Sequence, residues 1–561
     1  MSDSIDRTLR SEVEAWIADD PDPATASALQ KMLDSGDLAA LRRCFKGMLE
    51  FGTAGLRGSV GPGPSQMNRA VISRTAAGIA RYMRDRNLKS VIIGRDARHG
   101  SEEFARDSAE IFSGAGMDVF ILPRPLPTPV LAFALRDLAL DVGVMVTASH
   151  NPPQDNGYKV YLGGTVDGIA YQGSQIIAPA DREIFDEIRS ITRVRELPRG
   201  DRWTTLDESV IRRYVHSTAK VAKKAREITV VYTALHGVGT ETLRSVFHAA
   251  GFAEPILVSE QAEPDPDFPT VAFPNPEEKG AMDLAIAKGR DFGADLVLAN
   301  DPDADRCAAA IVDHHTGDWR MLRGDEVGAL LGTYIAENLE ESGRNGAIFA
   351  NSIVSSSILS KIAAGFGISF TETLTGFKWL AKVPNLTFGY EEALGYCVDS
   401  DSVNDKDGIS AALLLTDLAA KLKEEGSSIS HYLDSIWARF GYHATKQVSL
   451  RFDDLSLIPP LMETLRTDPP KQIASLAFAS LDDLSRPTNG LPPTDGVRIW
   501  FSNSDAGEGA TGERIRAIIR PSGTEPKLKC YIEVAGERSI AERIADQAAA
   551  ELSAFLAKAQ R

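Results

Sequence analysis

Apolar and polar positions along this chain switch between two rhythms, and the switch recurs. Compact apolar runs, "KSVIIGRD" at 89–96, "EITVVYTALHG" at 227–237 and "GAIFANSIVSS" at 346–356, predict strands. Each is followed by a stretch of helical spacing, "SEEFARDSAEIFSGAG", "GTETLRSVFHAAG" or "SSSILSKIAAGFG", that stops at Gly116, Gly251 or Gly367. Glycine ends helices because it enters the left-handed region without steric cost. A second strand follows each time: "MDVFILP", "AEPILVSE", "ISFTETL". A last apolar strand then runs into a polar loop: "VGVMVTASHNP", "ADLVLANDPDADR", "LTFGYEEALGY". Strand, helix, strand in this order predicts parallel α/β units. Ligands of open α/β sheets sit beyond the carboxyl ends of the strands, so the three loops are expected to build one composite site. The alternative is three unrelated α/β domains.

The remainder, from about residue 442, differs. Residues 452–494 carry seven prolines, which predicts extended pieces and turns. "GERIRAIIRPSGTEPKLKCYIEVAG" at 512–536 reads as two strands joined by a polar turn, and "SIAERIADQAAAELSAFLAKA" as a closing amphipathic helix. The expected fold class is α/β: three related α/β domains with mixed or parallel sheets and a smaller α+β C-terminal domain, around one cleft. The boundaries are a helical extension over 1–45, domain I over 46–215, domain II over 216–325, domain III over 326–441 and domain IV over 442–561. No chemistry is expected of the extension.

Composition narrows the function classes. At roughly 150 residues per domain, 561 residues make about four. A net charge of −17 argues against general binding to nucleic acid or anionic membrane, though not against a local pocket for a small anion. Cys44, Cys307, Cys397 and Cys530 are scattered, which argues against a disulfide framework or a zinc site and suits a reducing compartment. The polar start "MSDSIDRTLRSEVEAW" lacks the apolar core of a signal peptide. No apolar run approaches the ~18 residues of a membrane span. A cytoplasmic protein is expected.

The loops carry the candidate chemistry. In "DPDADR", Asp301, Asp303 and Asp305 alternate, so an extended segment would turn all three carboxylates to one side. Converging carboxylates repel unless a cation lies among them, and an all-oxygen set favours Mg²⁺ or Ca²⁺ over zinc. Arg306 adds an anion contact. An isolated D-x-D is more often a solvated acidic turn, but this one follows directly on a buried strand. An EF-hand is excluded, since no glycine stands at the sixth place. Ser149, in "TASHNP", is a weak nucleophile until activated, and as a phosphate ester it would carry roughly −1.5 to −2 charge. His150 and Lys159 are candidates to contact phosphate or move a proton. Read blandly, Ser149 caps a turn and His150 is solvated. In "RPSGTEPK", Arg520, Ser522, Thr524 and Lys527 surround Gly523, a pattern suited to a phosphate cradle; the bland reading is a polar hairpin. In "TLTGFKWL" and "GYEEALGY", Thr375, Gly376 and Glu391 are candidate substrate contacts and Lys378 a candidate acid or base. Phe377 and Trp379 read as packing residues and Glu392 as a surface charge. The pair His314-His315 reads as loop.

Five motifs stand in order: "FGTAGLRG" (51–58), "TASHNP" (147–152), "DPDADR" (301–306), "GYEEALG" (389–395) and "RPSGTEPK" (520–527). With them the chain resembles the α-D-phosphohexomutases, the phosphoglucomutase and phosphomannomutase superfamily, over almost its whole length. The resemblance implies a resting phosphoserine at Ser149 and Mg²⁺ held by that group with Asp301, Asp303 and Asp305. It implies Arg57 near the reacting phosphate and Glu391 on the sugar hydroxyls. Arg520, Ser522, Gly523, Thr524 and Lys527 would hold the phosphate not being transferred, and His150, Lys159 and Lys378 would be the proton-transfer candidates. Ala393 stands where many members have serine, and Ala304 where they have glycine. The loops look most like the branch whose phosphoglucomutases also accept pentose phosphates.

The implied activity interconverts sugar 1-phosphate and 6-phosphate through a 1,6-bisphosphate, with glucose first, ribose or deoxyribose next and mannose third. Glucose 1,6-bisphosphate would act as activator. Small sugar phosphates are the expected partners, and the chain a monomer or homodimer. The rivals are a glucose-1,6-bisphosphate synthase, a sugar-phosphate sensor and a metal-dependent phosphatase.

Overall fold

A computed structural model describes residues 2–50, 55–452, 455–486, 490–502, 513–522 and 527–558. They divide into two compact units, 1–322 with 393–426, and 323–392 with 427–561.

The first unit opens with helices Ser2–Asp19, Pro23–Ser35 and Leu38–Cys44. Asp22 caps the second by accepting the Ala24 N–H, and Pro23 follows at the first helical position, where its missing N–H costs nothing. Arg74 stacks on Trp16 at 4.8 Å, fastening the extension to helix Arg69–Asp85. Among the described residues, one sheet then runs Leu56–Ser59, Asp155–Leu162, Val142–Val146, Ser90–Arg95, Asp118–Ile121, Thr204–Thr205. A second runs Ile256–Leu257, Val230–Thr233, Leu296–Ala299, Ala308–Val312, Trp319–Met321. Helix Gly408–Glu424 belongs to this unit. Its N-cap Asp407 accepts from the Ile409 and Ser410 N–H groups and from the Tyr214 hydroxyl. The His314–His315 pair lies in the turn between Ala308–Val312 and Trp319–Met321.

In the second unit, Ser369–Thr373, Ile348–Ser352 and Leu386–Glu391 form a parallel sheet. Its order repeats that of the first two sheets: second strand, first strand, last strand, all parallel. The threefold rhythm of the sequence is therefore a threefold topology. Strand Val142–Val146 is buried at every position, as is Leu296–Ala299. That explains their unbroken apolar runs, because parallel strands are covered on both faces. Each buried Val or Leu side chain contributes about 1.5–3 kcal/mol.

The C-terminal sheet is antiparallel, in the order Tyr442–Arg451, Lys527–Gly536, Arg514–Pro521, Val497–Ser502, Leu476–Asp483, Gln472–Ile473. Ile515, Ala517 and Ile519 share a core with Ala541, Ala545 and Leu552 of helix Arg538–Lys558. Ile518 and Tyr531, on the other face, pack with Ile353, Val354 and Leu374. The proline-rich stretch departs from expectation, for Ile458–Thr467 is a helix. Pro459 and Pro460 lie in its first turn, where proline's fixed φ suits a helix and no backbone donor is needed.

Candidate active site

In the first unit, Ser149 lies just past strand Val142–Val146, 1% exposed, with φ +52°. Its N–H donates to Thr147 Oγ1 (2.9 Å), and its Oγ donates to Asp301 Oδ2 (2.6 Å). Arg306 Nη1 donates to the same Oγ (2.8 Å). Ser149 does lie in a turn, but its hydroxyl is engaged with Asp301 and Arg306.

The three aspartates are buried, and each offers a ligand oxygen within 4.8 Å of the others. Lys159 projects from the neighbouring antiparallel strand and donates to Asp303 Oδ2 (2.6 Å) and Asp305 Oδ2 (2.7 Å). Thr128 Oγ1 donates to Asp303 Oδ2 (2.6 Å), and Lys406 Nζ lies 3.3 Å from Asp305 Oδ2. Asp303 Oδ1 and Asp305 Oδ1 are left buried without a hydrogen-bond partner. Burial and the adjoining carboxylates push the Asp301 carboxyl up. Burial, the largest single influence, opposes the charge on Asp303 and Asp305, but Lys159 and Thr128 together at the first and Lys159, Lys406 and Arg306 together at the second hold both below the usual range. Two buried carboxylate oxygens without a hydrogen-bond partner, beside Asp301, make an all-oxygen donor set that fits Mg²⁺.

The surrounding groups are cationic. Arg57 Nε is buried with no partner, and burial and the positive charge of Arg306 push Arg57 down. His150 Nδ1 lies 3.4 Å from Ser149 Oγ and against Arg306 Nη1. Burial, then Arg306 and Arg57, keep its imidazole well below the ordinary value, hence neutral. Guanidiniums packed this closely are stable when an anion lies among them.

The second unit carries the other loops. Glu391 Oε1 accepts from the Gly376 N–H (2.7 Å), with Gly376 at φ +114°. Thr375 Oγ1 is buried with no partner, and Lys378 lies half-buried in helix Phe377–Leu380. Phe377 is buried, and Trp379 packs against the apolar cluster that includes Leu374 and Tyr531. Glu392 is not the surface charge expected. Its Oε2 accepts from Ser355 Oγ (3.0 Å) and Ser352 Oγ (3.2 Å), while its own N–H donates to Ser355 Oγ (3.0 Å). Burial, then the charges of Glu391 and Asp325, push its carboxyl up to about 7.

Arg520 is the last residue but one of strand Arg514–Pro521 and Lys527 begins strand Lys527–Gly536; the Ser522 N–H donates to Lys527 O (2.8 Å). Gly523 and Thr524 lie outside the described residues, as do residues 51–54 of "FGTAGLRG". Burial and then Glu392 push the Tyr531 hydroxyl up, while Arg520 pulls it down. The unit thus gathers the glutamate pair and the basic hairpin around Tyr531.

Models of the phosphoglucomutase/phosphomannomutase α/β/α domains I, II and III and of its C-terminal domain match residues 48–195, 212–315, 323–440 and 478–551, in that order. The chain belongs to the phosphoglucomutase/phosphomannomutase family. It is 45% identical to the Haemophilus influenzae protein named "Probable phosphomannomutase", over 84% of this chain and 93% of that one. It is 35% identical to human phosphopentomutase, over 94% and 92%. The crystal structure of Paramecium parafusin, a phosphoglucomutase, shares the fold with a TM-score of 0.66 at 19% identity, covering 91% of this chain and 94% of that one. This phosphohexomutase-family chain is therefore an enzyme of the phosphate-moving isomerases.

Several of this mutase's site groups escaped the sequence reading. Thr128 and Lys406 reach the aspartates from 175 and 101 residues away in the chain. Lys406 did leave a signal: it sits in the charged run "NDKDG" at a helix N-terminus. The two departures from family pattern also acquire a meaning. Ala304 adopts φ +55°, so an alanine stands in a left-handed position at a cost of about 1–2 kcal/mol. Ala393 offers no polar side chain beside Glu391 and Glu392. Among the described residues no helix is long and apolar enough to cross a membrane.

Proposed function

We propose that this phosphomutase interconverts sugar 1-phosphates and their terminal phosphates through a phosphoserine at Ser149 and a sugar bisphosphate intermediate, with glucose phosphate as the leading substrate. The observation that carries the reading is the buried Ser149 hydroxyl bonded to Asp301 and Arg306, beside two carboxylate oxygens with no partner.

In this reading the phosphorus–oxygen bond to Ser149 breaks as a sugar hydroxyl forms a new one. The hydroxyl's proton passes to a base, and a proton returns to Ser149 Oγ. His150, neutral and beside Ser149, is the candidate acceptor there, and Lys159, bonded to Asp303 and Asp305, the candidate donor. Lys378 is the corresponding candidate in the sugar loop. Arg57 and Arg306 hold the transferring phosphoryl group. Asp301, Asp303 and Asp305, with the Ser149 phosphate, would hold Mg²⁺, which supplies neutralisation of the transferring charge. Thr375, Gly376 and Glu391 take the sugar hydroxyls, while Arg520, Ser522, Gly523, Thr524 and Lys527 take the second phosphate. The bisphosphate serves as primer, because it rephosphorylates Ser149 whenever the ester is lost to water.

Pentose phosphates are the second reading, favoured by the 35% identity to a protein named phosphopentomutase. A panel of glucose-, ribose-, mannose- and glucosamine-phosphates, each with its bisphosphate primer and Mg²⁺, tests both. Isomerisation of glucose or ribose phosphate supports the mutase. Bisphosphate formation from 1,3-bisphosphoglycerate without isomerisation would make the chain a synthase, and steady phosphate release without isomer a phosphatase.

A further inference from the structure

One side chain outside the Ser149 loop makes four hydrogen bonds into it. Arg98 Nη2 donates to the carbonyl oxygens of Ser149 (2.7 Å) and Asn151 (2.6 Å). Its Nη1 donates to those of Pro152 (2.8 Å) and Asp155 (3.1 Å). Nε faces Asp96 Oδ2 at 3.4 Å, with both side chains 1% exposed. The guanidinium lies 4.9 Å from the centre of the buried Phe268 ring, which covers one face. Asp96 is seated in turn: its Oδ1 accepts from the Arg98 N–H (3.0 Å) and Ser101 Oγ (2.7 Å). Thr147 is the residue that accepts the Ser149 N–H. Both ends of the Ser149 backbone are thus held, the N–H by Thr147 and the carbonyl by Arg98, which Asp96 seats in turn.

That arrangement answers a physical need. A serine at φ +52° costs about 1–2 kcal/mol and persists only where its surroundings over-determine it. With the carbonyl released, the turn relaxes toward the ordinary region and carries Oγ away from Asp301 and Arg306.

We propose that Arg98 is a positioning residue for phosphoryl transfer: its guanidinium holds the Ser149 loop in the left-handed turn that keeps Oγ on Asp301 and Arg306, without touching the substrate. The inference rests on Ser149 being the phosphoryl carrier. Lysine is a poor replacement, because a point ammonium with three hydrogens does not span four carbonyls served from two nitrogens.

The test uses the full chain with Mg²⁺, read two ways: the rate at which dephosphorylated protein gains phosphate on Ser149 from glucose 1,6-bisphosphate, by mass spectrometry, and kcat and KM for glucose 1-phosphate. Arg98→Lys is expected to lower kcat about 100-fold, slow Ser149 phosphorylation by the same factor, and leave KM within about threefold. A kcat within about threefold of wild type, or a loss seen in KM alone, overturns the inference. If Arg98→Lys does not fold, Asp96→Asn keeps the guanidinium but frees its Nε side. It should lower kcat about tenfold at constant KM, and an unchanged kcat there overturns the inference equally. Wild-type protein that takes no phosphate on Ser149 overturns the carrier reading and this inference with it. Wild-type protein that does, beside an Arg98→Lys protein that does so as fast, overturns the inference alone.

Discussion

Two groups of carboxylates, one in each unit, lie at the end of the last strand of the same second–first–last parallel order, and they have opposite surroundings. Asp301, Asp303 and Asp305 follow Leu296–Ala299 and meet cations: Lys159 on two of them, Lys406 on Asp305, Arg306 on Asp301. Glu391 and Glu392 end and follow Leu386–Glu391 and meet neutral donors: the Gly376 N–H and the hydroxyls of Ser352 and Ser355. The first environment keeps two carboxylates charged although buried, which suits a divalent ion and a phosphate. The second leaves Glu392 at about 7 and suits uncharged hydroxyl ligands. Topology decides where a loop stands, while the partners brought to it decide its chemistry.

The largest test of this contrast is Ser149→Ala. If the aspartate side alone does the transfer, kcat should fall by about ten-thousand-fold or more, with little change in folding stability. Retained turnover, measured with primer present, would break the comparison. On the other side, Arg520→Ala should act on binding: loss of a charge-assisted contact worth about 1.5–3 kcal/mol raises KM about tenfold to a hundredfold at nearly constant kcat. Equal losses in kcat and kcat/KM would erase the distinction between a transferring side and a binding side.

A third, smaller effect concerns pH. The folded-state value of Glu392, about 7, lies above the ordinary value of about 4.3, so the native state binds this proton more tightly than the unfolded chain. Its contribution is fully present below about pH 4 and is lost as pH rises toward 7, on the order of 1–2 kcal/mol. Glu392→Gln should flatten that slope in urea unfolding measured at pH 5 and pH 8. An unchanged slope would mean the serines hold Glu392 charged, and the contrast with the aspartates would narrow. The smallest effect sharpens the backbone side of the comparison. In the loop "TLTGFKWL" the positive-φ residue is Gly376, while at the metal loop it is Ala304. Ala304→Gly should stabilise the fold by about 0.5–1 kcal/mol, strain relief being partly offset by glycine's unfolded-state entropy. Denaturant unfolding reads it directly.

Much of this was legible before any fold was known. The three rhythms became three parallel sets of strands in one order, two of them inside mixed sheets, because apolar periodicity and helix-ending glycines are local properties. The loops "TASHNP" and "DPDADR" marked a candidate nucleophile and a candidate cation site by residue type, and the structure brings Ser149 and Asp301 within hydrogen-bond distance. The helix at Ile458–Thr467 was hidden because a proline's meaning depends on its place within the turn, which composition does not carry.

Local pattern by itself determined the repeated strand–helix–strand elements, their order and the candidate chemistry of each loop. Tertiary structure alone decided which side chains complete the chemistry: Thr128 and Lys406 on the aspartates, Arg98 on the carbonyls of the Ser149 loop, Ser352 and Ser355 on Glu392. The reason is physical. Periodicity and turn propensity act between neighbours in the chain, whereas desolvation, ion pairing and a held left-handed turn depend on groups brought together from far apart in it.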